Sequence, residues 1–131
     1  MYAHENYRKV KEIIENRRQS AIAEAEARNL EVASLSDDIR AIDEEMRNTG
    51  LLLFKTACAG GDITPIRERN LFLGEERRRA LKKLGLPEDY TEIKYQCEKC
   101  SDTGFVGTKM CSCFKEMLIT ENIRSSGMGM L

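Results

Sequence analysis

Cys97-Glu98-Lys99-Cys100-Ser101-Asp102-Thr103-Gly104, followed closely by Cys111-Ser112-Cys113, is the stretch from which the rest of the chain is read. Its thiols are spaced C-x2-C-x10-C-x1-C. A Zn²⁺ ion takes four soft ligands in a tetrahedron, and ionised cysteine supplies both the softness and the negative charge. A C-x2-C turn lets two sulfurs reach one ion from a tight knuckle. Gly104 can adopt the backbone angles that carry the chain away from it. Phe105, Val106, Gly107, Thr108, Lys109 and Met110 read as a short hairpin that returns the second pair, Cys111 and Cys113, to the first. The expected metal ligands are therefore Cys97, Cys100, Cys111 and Cys113.

A four-thiolate shell leaves no open coordination position, so such a zinc is structural and not hydrolytic. It can contribute about 10 kcal/mol or more to folding, which a short segment with few large apolar groups needs. The alternative is that three cysteines bind and another group completes the shell. His4, the single histidine, is remote in sequence and reads as solvated surface. Redox exchange at Cys97-Glu98-Lys99-Cys100 would want a different context, because here a second pair at metal spacing follows. The fifth cysteine, Cys58, lies in the apolar run Leu51-Leu52-Leu53-Phe54-Lys55-Thr56-Ala57-Cys58-Ala59 and reads as a buried small hydrophobe.

Upstream of the cysteines the chain reads as mainly α, an elongated helical hairpin with a third helix. Residues 5–33 are rich in Glu, Lys, Arg and Ala and lack Pro and Gly, which favours helix. Tyr7, Val10, Ile14, Ala21, Ala25 and Val32 form one thin apolar seam. Ser36 is the expected N-cap of a second helix, 36–59, with Asp37 and Asp38 in its first turn. Leu35, Ile39, Ile42, Met46, Leu53 and Ala57 give its stripe. These two helices are expected to pack antiparallel, as a coiled-coil-like hairpin. Gly60-Gly61 stops the second helix. Thr64-Pro65 opens a third, 65–84, as N-cap and first helical position, and Gly85 and Pro87 end it. Ile93 and Tyr95 alternate with Lys94 and Gln96 as a short strand would. A short helix follows Cys113, and residues 125–131 read as a flexible tail. The expected division is a helical arm, 1–85, a zinc-binding knuckle with its helix, 86–120, and a linker or tail, 121–131.

The chain has 131 residues, 41% hydrophobic and 33% charged, with net charge −1. One thick core is not expected from this composition. Charge is uneven: residues 64–83 carry seven basic against three acidic groups, whereas residues 34–63 carry three against six. The basic helix suits either ordinary solvation or an acidic or nucleic-acid partner. No apolar run is long enough for a bilayer and no secretory signal opens the chain, so a cytoplasmic, reducing setting is expected. Nothing matches G-x-x-x-x-G-K-[ST], and no carboxylates pair as acid and base. No enzyme activity is therefore expected.

Pro87-Glu88-Asp89-Tyr90, then Tyr95-Gln96-Cys97-Glu98-Lys99-Cys100-Ser101-Asp102-Thr103-Gly104 and Cys111-Ser112-Cys113, resemble the N-terminal region of bacterial replicative-helicase loaders of the DnaC/DnaI type. The likeness covers about residues 86–118. It implies zinc at Cys97, Cys100, Cys111 and Cys113, and docking of this region on a hexameric replicative DNA helicase. In that family an AAA+ ATPase domain follows, which binds ATP and single-stranded DNA. This sequence ends about where that domain would begin, so it is read as an excised domain or a natural short form. The function expected is a protein-docking module, and the alternative is a zinc-dependent nucleic-acid-binding module. A hairpin with two apolar seams can also form a homodimer through the arm.

Overall fold

The computed structural model describes residues 2–127, and the side chains of residues 2 and 3 are not described. The chain is mainly helical: α1 (Tyr2–Leu35), α2 (Asp37–Cys58), α3 (Thr64–Lys83), a two-stranded hairpin of β1 (Phe105–Val106) and β2 (Lys109–Met110), and α4 (Ser112–Ser125). The strands pair antiparallel, Phe105 opposite Met110 and Val106 opposite Lys109. Two compact units result. One combines the residues up to Ala25 with those from Ile93 onward, and the other is Glu26–Glu92. α1 contributes residues to both. The cysteine segment thus groups with the first two-thirds of α1 across most of the sequence length, a grouping that chain order alone conceals.

In the first unit the α1 seam does what its periodicity predicts. Val10 and Ile14 are buried against Phe114 of α4, with Tyr7, Phe105, Met110, Met117 and Leu118 packed around them. Phe114 is fully buried, its ring 5.1 Å from Tyr7 and 5.7 Å from Phe105. Polar ties run beside this core. The buried Asn6 amide donates to Asn122 Oδ1 at 2.7 Å and Ser125 Oγ at 2.9 Å, and Lys9 Nζ pairs with Glu121 at 2.8 Å. Each of these contacts spans more than a hundred residues of sequence. Residues 121–125, expected as linker, are helical and carry three of them. The remainder of the expected tail, from Met128, lies outside the described residues.

In the second unit Val32, Ile39, Ala80 and Leu81 form the buried cluster, with Ile42, Leu86 and Tyr90 against it. α2 packs along α3, not along α1. The antiparallel hairpin is therefore present, but its members are α2 and α3. The reason lies at Ser36, the single residue between α1 and α2. It is extended and its hydroxyl accepts from the Ile39 N–H at 3.2 Å. A one-residue joint leaves no loop in which α2 could turn back along α1. The five residues between α2 and α3 supply that room, with Gly60 at φ +74° and Gly61 N–H donating to Thr56 O at 2.9 Å.

α3 ends in a Schellman motif. The Gly85 N–H donates to Lys82 O at 2.9 Å and the Leu86 N–H to Leu81 O at 3.1 Å, with Gly85 at φ +79°. Leu86 then packs against the cluster that contains Leu81. At the other end the cap lies one residue earlier than expected. Ile63 is the N-cap, and Asp62 Oδ1 accepts from the Thr64 N–H at 3.0 Å. Arg77, on the inner face of α3, forks onto Asp43 of α2 at 2.7 Å and Asn29 of α1 at 2.7 Å, and also meets Thr91. One guanidinium thereby joins three helices and the turn after Gly85, using a planar donor set suited to several acceptors at once.

Two expectations fail on packing. Ile93–Tyr95 is not a strand: among the described residues the sheet consists of β1 and β2 alone. Cys58 is exposed. Only the α3-facing side of the second half of α2 is covered, where Leu53 and Thr56 are half-buried, and Cys58 falls on the other side of the helix.

Candidate metal centre

The knuckle from Cys97 to Gly104 is built around one buried carboxylate. Asp102, 2% exposed, accepts the Cys97 N–H on Oδ1 and the Gln96 N–H on Oδ2, both at 2.9 Å. The Asp102 N–H returns to Cys97 O at 3.3 Å, and the Thr103 hydroxyl donates to Cys100 O at 2.6 Å. To make this turn Ser101 and Asp102 adopt left-handed backbone angles, φ 53° and 55°. A short polar side chain tolerates that region best. Asp102 and Thr103 therefore set the direction of the first two thiols. Their sequence signal is the polar triplet directly after C-x2-C, which reads as mere turn composition until its bonds are seen.

Gly104 leaves the knuckle at φ +86°. A Cβ there would lie 2.7 Å from Phe114 Cδ2, so both its backbone angle and the aromatic core require glycine. The hairpin β1–β2 follows, and the Cys111 N–H donates to Gly104 O at 2.8 Å, closing the loop. Cys111 is the N-cap of α4 and Cys113 sits in its first turn. Helix N-termini carry unpaired N–H groups and a partial positive charge, a setting that favours thiolate.

The four sulfurs of Cys97, Cys100, Cys111 and Cys113 all lie within 4.8 Å of one another. Cys97 Sγ is 3.7 Å from Cys111 Sγ, and Cys100 Sγ is 3.6 Å from Cys113 Sγ. Sulfurs at the corners of a tetrahedron, each about 2.3 Å from a central ion, are about 3.8 Å apart. Those two separations match that spacing, all the others lie within 4.8 Å, and all four thiols are free. The N–H of Cys113 holds the Cys111 thiol down to about 7, whereas burial and the neighbouring sulfurs push Cys113 up. Like charges this close oppose one another unless a cation sits among them. The cluster can hold a metal ion, and the donor set is one a soft divalent cation fits. His4 and Cys58 are exposed and lie outside it.

Of the basic side chains of α3, Arg69, Arg77, Arg79 and Lys82 are ion-paired to Glu45, Asp43, Glu76 and Glu88. Much of the positive charge read from that helix is thus balanced locally. Among the described residues no helix is long and apolar enough to cross a membrane.

Fold and site together define a mainly helical protein with a four-cysteine, metal-competent knuckle seated on helix α1 through Phe114. No protein-family model, curated protein or solved structure matches the chain.

Proposed function

We propose that this chain is the protein-docking module of a helicase-loader-like replication protein, with one structural Zn²⁺ bound by Cys97, Cys100, Cys111 and Cys113 and a replicative DNA helicase as its partner. The choice of zinc is supported by the donor set: four thiolates gathered this closely suit that ion, and a closed shell suits a structural role. The choice of partner rests on the motif likeness of residues 86–118.

The observation that carries a docking role is apolar exposure on the α2–α3 hairpin. Leu51, Phe54 and Leu71 are 62%, 69% and 66% exposed, and Leu52 is 51% exposed. Large side chains grouped in this way on one hairpin mark a protein-interaction surface more than a nucleic-acid one. The nucleic-acid reading draws less support, because most α3 cations already have carboxylate partners.

The test is capture of the replicative helicase by the zinc-loaded chain, with zinc measured on the same sample. One zinc per chain with helicase bound is expected. Leu51→Asp together with Phe54→Asp should abolish capture without lowering the melting temperature, since both side chains are already in water. Capture that survives this double change would move the docking face elsewhere. Zinc without helicase capture would leave the metal reading intact and remove the partner.

A further inference from the structure

A second feature of the same hairpin has no role in that reading. On one flank of α2–α3 lies an open groove of about 460 Å³. Its floor is apolar, with Ala41 and Ile42 from α2 and Phe72 and Leu73 from α3. Its two banks differ in sign. The α2 bank presents Asp38 and Glu45, and the α3 bank presents Arg69, Arg79 and Lys83 against one acid, Glu76. Within one hairpin Glu45 already pairs with Arg69, and Arg79 with Glu76, so the charges left over are Asp38 on the acidic bank and Lys83 on the basic bank. Asp38 and Lys83 have no ion pair of their own among the described residues.

We propose that a second copy of this chain docks in the groove, two α2–α3 hairpins meeting about a two-fold axis parallel to the helices. That symmetry places the acidic bank of each copy on the basic bank of the other, and makes every facing pair antiparallel. A face that is its own electrostatic complement under a two-fold is the condition for an isologous dimer.

The register follows from contacts within one hairpin. Asp43 pairs with Arg77 across it at 2.7 Å, Thr49 bonds to Asn70, and Ile39 shares a core cluster with Ala80. Asp38 therefore stands level with Leu81, between Arg79 and Lys83, and Glu45 stands level with Gly74, reaching Arg69 through the length of the arginine side chain. About the proposed axis, Asp38 of one copy meets Arg79 and Lys83 of the other, and the apolar floor around Ile42 meets the α3 stretch between Leu73 and Ala80, with Phe72 at its edge. The product is a four-helix bundle.

The area suffices. Helices of 22 and 20 residues are about 30 Å long and about 10 Å across. One face then covers about 600 Å² per copy, about 1,200 Å² in all, which reaches the range of specific interfaces. The net charge of −1 adds little repulsion between copies.

Sedimentation velocity of the full, zinc-loaded chain over a wide concentration range tests this directly and requires no helicase. A concentration-dependent dimer is expected, weakening as salt rises because its pairs lie at a solvated rim. Asp38→Lys, Arg79→Glu and Phe72→Glu should each weaken it by about tenfold or more, with helix content by circular dichroism unchanged. An equimolar mixture of the Asp38→Lys and Arg79→Glu chains should recover the dimer. In the mixed pair the introduced lysine faces the introduced glutamate, and the retained Asp38 faces the retained Arg79. A monomer at every concentration overturns the proposal. So does a dimer indifferent to the three substitutions, or a mixture that fails to recover.

Discussion

At the scale of single residues, the cysteines supply a donor set that can hold a metal ion, but Asp102 and Gly104 supply its geometry. Asp102 is a buried acceptor for two backbone N–H groups, those of Gln96 and Cys97. Asp102→Ala leaves both donors unpaired, at about 1–3 kcal/mol for a buried group. It also frees the first thiol to move. Partners that orient metal ligands typically govern about 10–100-fold in affinity. Asp102→Ala should therefore bind zinc about 10–100-fold more weakly in competition with a chromophoric chelator while still loading one ion per chain. Unchanged affinity would show that the four sulfurs align themselves. Gly104→Ala tests the next position. A non-glycine residue held at φ +86° costs about 1–3 kcal/mol from the backbone alone, and its methyl must also displace the Phe114 ring. Urea unfolding should register at least that loss. The cysteine spacing was legible in the sequence because metal ligands must recur at short, fixed intervals. The work of Asp102 was not, because its two hydrogen bonds depend on a turn whose shape no propensity specifies.

At the scale of elements, the salt bridges of α4 make a prediction about acid. Arg124 donates to Glu121, as does Lys9 of α1, and together they hold the Glu121 carboxyl down from its ordinary 4.5 to about 2. A carboxylate whose folded value is depressed stabilises the fold above its unfolded value and loses that contribution as pH falls through the folded one. The Glu121 contribution is therefore complete above about pH 4.5 and gone by about pH 2. Urea unfolding of the parent chain and of Glu121→Gln, followed from neutral to acid, should show a stability gap that is constant above this window and closes within it. Subtracting the two curves cancels whatever the thiols contribute in acid. A gap that persists to about pH 2 would mean that Glu121 acts through its packing and not its charge. Elements differed in how well the sequence disclosed them. The α1 seam was readable because Val10, Ile14, Ala21, Ala25 and Val32 repeat at helical spacing and all are buried. Gly85 marked the end of α3 because only a residue at ease at positive φ closes that motif. Ile93–Tyr95 misled, since alternation describes a strand only where another strand can receive it. The partner of α2 was equally hidden: apolar stripes on α1, α2 and α3 state that each helix buries one side, not which sides meet.

At the scale of the whole molecule, the metal and the second unit hold the chain by separate means. The core of Glu26–Glu92 rests on Val32, Ile39, Ala80 and Leu81 and on the Arg77 network, none of which involves a thiol. The first unit differs. Between Ile93 and Cys111 its only regular structure is a pair of two-residue strands, too short to persist unaided. Its apolar anchor Phe114 directly follows the last sulfur. Metal binding is therefore expected to contribute most of the order of this segment, as it does in small domains that fold only when loaded. Hydrogen exchange read by mass spectrometry, with zinc and after chelation, separates the two supports. After chelation, peptides covering residues 93–113 should exchange as unfolded chain, and peptides of α4 should lose protection as Phe114 loosens. Peptides from α2 and α3 should keep theirs, because the contacts that protect them contain no ligand of the cluster. Uniform loss over the whole chain would show instead that the core of Glu26–Glu92 cannot stand without the metal, and that Arg77 and its partners orient helices without stabilising them. Uniform retention would show that Asp102, Gly104 and Phe114 hold the knuckle closed on their own, leaving the four sulfurs at ligand spacing with no structural need for an ion.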